Sequence, residues 1–117
     1  MEFNEYTDCI RVIDLSSIPM VEVLKEIEKR PLLWLSEENI QCLDSFLSGL
    51  KIGRGNRDVD SELLDGFQFF VSLQYNEKNT TRGWCKIIAS HTAPSKSLDK
   101  FFELLNEYLI SKKDKKN

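Results

Sequence analysis

The chain has little of what catalytic and metal sites are usually built from. Histidine occurs once, as His91, and neither a Cys-x-x-Cys pair nor a His-Glu-x-x-His segment is present, so a zinc site has no ligand set at a workable spacing. There is no Gly-x-Ser-x-Gly nucleophile elbow. Gly53-Arg54-Gly55 lacks the Gly-Lys-Ser/Thr that completes a phosphate loop and follows a helical pattern rather than a strand. No cofactor and no metal are expected. Apolar runs are short as well: none approaches the roughly 18 residues of a membrane span, and no membrane association is expected. The opening MEFNEYTDCI is acidic and lacks the basic, apolar, small-residue order of a signal peptide, so a cytoplasmic location is expected. Cys9, Cys42 and Cys85 are odd in number and far apart. Without an export signal they read as reduced thiols that pack as small apolar groups.

What is present is an ordinary globular balance. Apolar residues make up 41% and charged residues 30% of 117, enough for one core and too little length for two. The net charge of −3 is unevenly spread: Lys112, Lys113, Lys115 and Lys116 against Asp114 give the last seven residues +3, so the rest carries −6. An acidic body repels nucleic acid and favours a basic protein partner. The lysine tail itself reads as a solvated terminus.

Hydrophobic periodicity is helical along most of the chain. Residues 1–16, with Ile10 and Val12 alternating about Arg11, suit a short N-terminal strand or arm. Ser17 as N-cap and Pro19 in the first turn open a helix carrying Met20, Val21, Leu24 and Ile27 on one face, which Pro31 stops. Pro31 to Leu35 should be extended, delivering Trp34 to the core before Ser36 caps a second helix with Ile40, Leu43, Phe46, Leu47 and Leu50. Gly49, Gly53 and Gly55 mark its exit into a polar loop, KIGRGNRDVD. Asp60 or Ser61 caps a third helix, with Leu63, Leu64, Phe67, Phe70, Val71 and Tyr75 on one stripe and Phe69 and Leu73 pointing the other way. A helix apolar on both sides is either central or presents a contact surface. After a turn-rich connector, Trp84, Ile87, Ile88 and His91 share a face of a short helix that Cys85 borders. Ser95 or Ser97 begins the last helix, striped by Leu98, Phe101, Phe102, Leu105, Tyr108 and Leu109. The expectation is a single all-α domain: a compact bundle of about five helices over residues 17–110, with residues 1–16 as strand or arm and 111–117 as a basic flexible tail.

The segment TRGWCKIIASHT gathers Trp84, Cys85 and His91 and is the one place that invites a nucleophilic reading. Six helical residues separate the thiol from the imidazole by about 240° and roughly 9 Å, so the two cannot form a Cys/His pair on one helix. The segment reads as core architecture. The acids Asp58, Asp60, Glu62 and Asp65 sit at a loop and a helix start, where carboxylates stabilise the dipole rather than share a proton. Beside Phe69 and Leu73 they form the candidate binding set, acidic groups around an apolar anchor pair, which suits a basic partner.

The order of segments resembles a loose group of small bacterial helical proteins. The matching stretches are Lys29-Arg30-Pro31, Phe46-Leu47-Ser48-Gly49, Gly83-Trp84-Cys85-Lys86-Ile87-Ile88 and Phe101-Phe102-Glu103-Leu104-Leu105-Asn106-Glu107. Leu32, Leu33 and Trp34 depart from the Gly-Met-Tyr usual in the group's entry motif. Some members look like immunity proteins of bacterial toxin systems, which implies a non-enzymatic binder that masks a basic toxin domain. Two other readings stand beside it. One is a small enzyme or ligand-binding protein with an apolar pocket near Trp34, Trp84, His91 and Arg30. The other is a structural homo-oligomer, such as a homodimer built through the third or last helix.

Overall fold

The computed structural model describes residues 18–55, 62–78 and 82–115, and every described element is helical. Six α-helices follow in order: α1 (Met20–Lys29), α2 (Pro31–Trp34), α3 (Ile40–Arg54), α4 (Glu62–Gln74), α5 (Trp84–His91) and α6 (Ser97–Lys115). A 3₁₀ turn, Pro94–Lys96, leads into α6. The chain is an all-α bundle. The expected arm at residues 1–16, the Ser17 and Asp60/Ser61 caps, Cys9, Asp58 and Asp60 lie outside the described residues.

The five longer helices bury apolar stripes at helical spacing, with Val23 rather than Val21 completing that of α1, while α2 buries none of its residues. Met20, Leu24 and Ile27 of α1, Ile40, Leu43 and Leu47 of α3, and Leu63, Phe67 and Val71 of α4 all enter one core. α5 and α6 close it with Trp84, Ile87, Ile88, Phe101 and Leu105. Phe67 stands at the centre, edge-on to Trp84 at 5.9 Å, Phe101 at 5.1 Å and Tyr108 at 6.0 Å between ring centroids, within the geometry aromatic pairs prefer.

The helices differ from the sequence expectation mainly at their ends. Pro31 to Trp34 is a helical turn rather than an extended segment, closed by Leu35 N–H donating to Pro31 C=O at 2.8 Å. Proline's fixed φ suits a first helical position as well as an extended one, and the turn leaves Leu32 and Leu33 exposed with Trp34 half-buried. The cap of α3 is Asn39, not Ser36: its Oδ1 accepts from Cys42 N–H at 2.8 Å. Asparagine caps as well as serine does and stands directly before the first buried position. α3 then continues through Gly49 and Gly53, reaches Arg54 and ends at Gly55, whose φ of +55° requires a residue without Cβ. The first four residues of KIGRGNRDVD are therefore helical. Arg54 is buried and donates from Nη2 to Ile18 C=O, a tertiary contact that offsets the low helix propensity of the two glycines. α6 runs to Lys115, into the segment expected to be a flexible tail. Cations in the last turn face the negative end of the dipole, and Lys112 Nζ lies 5.8 Å from the Tyr108 ring centroid.

Two caps come from far along the chain. Ser97 Oγ, in a residue only 1% exposed, accepts from Ile40 N–H at 3.2 Å and donates to Pro94 C=O at 2.9 Å. The first residue of α6 thus satisfies an N–H at the start of α3. Gln68 does the same for α5, whose N-cap position is Gly83 and has no side chain to offer. Its Oε1 accepts from Trp84 N–H at 2.6 Å while Nε2 donates to Arg82 C=O at 3.0 Å.

Candidate functional site

α4 is held with one side in the core and the other in solvent. Phe67 and Val71 are fully buried and Leu63 nearly so. Gly66 permits the crossing of α6, since a Cβ there would overlap Tyr108 Oη and stand 3.1 Å from Cζ. Asn76, at φ +53°, ends the helix in the left-handed conformation, and Glu77 N–H closes onto Ser72 C=O at 2.8 Å. Locked this way, the opposite face cannot rotate inward. Glu62, Asp65, Phe69 and Leu73 follow at steps of three, four and four residues and fall within about 80° of one another on the helix. All four are exposed. Phe69 and Leu73 are each 65% exposed, among the most open large apolar side chains of the described residues. The two acids occupy the first turn, where the helix dipole favours them, and the last turn of α4 has no basic residue. The face is therefore acidic at its N-terminal end and apolar at its C-terminal end. A groove of about 220 Å³ adjoins it between α3 and α4, with Asp44, Lys51, Asp65 and Gln68 on its walls.

The other residues singled out in the sequence are dispersed. Trp84 is buried, tilted against Phe101 at 5.0 Å. Trp34 lies edge-on to Phe46 at 6.2 Å, beside a separate open groove of about 500 Å³ shared with Ser36, Cys42 and Ser45. Its Nε1 is buried and meets no acceptor among the described residues. His91 is at the surface, stacked on Tyr75 with centroids 4.3 Å apart and planes 11° from parallel. Arg30 is exposed at the junction of α1 and α2. Trp34, Trp84 and His91 line separate places.

Cys85 is poorly placed to act as a nucleophile. Cys85 is buried, and its Sγ lies 3.8 Å from Ile40 C=O. Burial first, then the charge of Asp44 and a hydrogen bond to its carboxylate, push the thiol up to about 11. A thiol so placed is almost entirely protonated at neutral pH and is a poor nucleophile. Its neighbours are Asp44 and Ile40, while His91 is occupied with Tyr75. Cys42 and Cys85 are both free. Among the described residues no group of three His, Cys, Asp or Glu side chains is placed to hold a metal ion, and no helix is long and apolar enough to cross a membrane.

Sequence reasoning passed over Arg82, which anchors the entry to α5. It pairs with Glu77 at 3.0 Å and donates to Lys86 C=O at 3.1 Å and Ser90 Oγ at 2.9 Å. No periodicity or motif marks it, because its partners are scattered five residues before it and four and eight residues after it. The TRGWCKIIASHT segment is thus held by Arg82 outside and Trp84 inside. Comparison of the chain with protein-family models, with curated proteins and with solved structures gives no match.

Proposed function

We propose that the protein is a non-enzymatic binding module that docks a basic protein partner on the outward face of α4. The observation that carries this reading is the 65% exposure of both Phe69 and Leu73 on the same stripe as Glu62 and Asp65. A folded chain gains by burying such side chains, and a rigid helix that holds two of them in water presents a preformed anchor. The acids raise the rate of encounter with a cationic surface, and the apolar pair sets the lifetime of the complex once it is desolvated. The −6 carried outside the last seven residues adds to the same attraction. In the form the sequence resemblance implies, the partner is the basic domain of a toxin and binding masks it.

The test is capture from the native host followed by kinetics on the captured protein. Wild type should retain a basic protein that Phe69→Ala/Leu73→Ala loses through faster dissociation. Reversing Asp58, Glu62 and Asp65 to Lys should keep the helical circular dichroism and slow association roughly tenfold or more at low salt, a defect that shrinks as salt rises. A partner that binds both variants as it binds wild type sinks the proposal.

A further inference from the structure

A second exposed face lies on α6 and has a different character. Asp99, Glu103, Asn106, Ile110 and Lys113 recur at steps of four, three, four and three residues, so they form one stripe within about 80°. All are exposed, with Ile110 at 63%. The stripe is turned about half a revolution from Phe101, Leu105 and Tyr108, the side on which Phe101 and Tyr108 pack against Phe67 of α4. Beside its N-terminal half runs a groove of about 370 Å³, floored by Leu98 and Phe102 and rimmed by Glu28, Glu38 and Asp99. Glu103 pairs with Lys100 at 3.4 Å. The helix dipole accounts for acids early and lysines late in α6. It gives no reason for an isoleucine in the middle of the water-facing side.

We propose that two copies of this chain pair antiparallel along α6, about a two-fold axis at Asn106. In that register residue 99 of one copy faces residue 113 of the other, and residue 102 faces residue 110. Asp99 therefore meets Lys113 twice, once on each side of the axis, and Ile110 enters the partner's groove over Phe102. The carboxylates of Glu28 and Glu38 on the rim draw the same lysine. Asn106 faces its own copy, where two amides can exchange hydrogen bonds and pin the register. A parallel pairing would set Asp99 against Asp99. The α4 face lacks this self-complementarity, because its described acids have no cation on the same stripe. It suits a foreign partner, whereas α6 suits a second copy of itself. One face of one helix is a small interface, of the class that associates weakly and reversibly.

The experiment is sedimentation velocity of the full chain from about 10 µM to about 1 mM at low ionic strength, a range that spans weak dimers. Wild type should pass from monomer to dimer across it. Asp99→Lys and Lys113→Asp should each raise the dissociation constant about tenfold, since each reversal places two like-charge contacts across the axis. Asp99→Lys together with Lys113→Asp should restore association to within about threefold of wild type. Ile110→Asp should abolish the dimer while the circular dichroism stays helical. Sedimentation as a monomer throughout, single reversals without effect, or a double variant weaker than either single overturns the proposal. The measurement contains no other protein, so its failure leaves the α4 reading untouched.

Discussion

Gly66→Ala tests whether the α4–α6 crossing is as tight as the geometry requires. In an exposed helix interior, alanine gains about 1 kcal/mol over glycine. Here the new Cβ would overlap Tyr108 Oη and approach Cζ to 3.1 Å. Tyr108 has little freedom to swing aside, with its ring 6.0 Å from Phe67 and 5.5 Å from Phe70, and Lys112 Nζ 5.8 Å from its own centroid. Overpacking of this kind costs about 1–3 kcal/mol. The two effects oppose each other, and the steric term wins: a net loss of about 1 kcal/mol is expected. Removing the hydroxyl with Tyr108→Phe leaves only the milder Cζ contact. In that background Gly66→Ala should be at least about 1 kcal/mol less costly than in wild type, a coupling read from a double-mutant cycle. Urea unfolding followed by circular dichroism at constant m-value provides the assay. If Gly66→Ala stabilises wild type by its full propensity gain, Tyr108 is free to move and the reasoning fails.

Trp84→Ala removes an indole that touches both Phe67 and Phe101 and should cost about 3–5 kcal/mol; an unchanged midpoint in the same urea assay would contradict its place in the core. At pH 8, Cys42 should react with an aromatic disulfide reagent before Cys85, which should react only at the rate of unfolding; equal rates for the two thiols would show that Cys85 is accessible. Because the Cys85 thiol rises to about 11 on folding, the native state holds its proton longer than the unfolded chain. The stability this contributes is complete below the ordinary thiol value and is lost as pH climbs towards 11. Cys85→Ala should flatten that alkaline fall, and a profile identical to wild type would remove the assignment.

The five longer helices and most of their buried stripes were legible in the sequence, whereas the helical turn Pro31–Trp34, expected as an extended segment, was not. The pattern of Leu63, Phe67 and Val71, or of Trp84, Ile87 and Ile88, repeats at the helical period and needs no knowledge of neighbours. The fold class followed from that, as did the inertness of the Cys85–His91 spacing. Part of the capping was not legible, because the groups that supply it are remote. Ile40 N–H is capped from 57 residues away and Trp84 N–H from 16, and no local window contains both partners.

The sequence also left open whether Phe69 and Leu73 lie inside or outside. Helical spacing shows only that they oppose the Phe67 stripe; whether a second layer covers them depends on how many helices surround α4. The tertiary structure decides it, by pinning α4 through Phe67 and the Gly66–Tyr108 crossing so that both side chains face water. Leu32, Leu33 and Ile110 are exposed for the same kind of reason. Local periodicity comes from a single helix's geometry, whereas burial depends on every neighbour at once. The sequence by itself therefore determined the five longer helices, and their packing determined which apolar faces were left exposed.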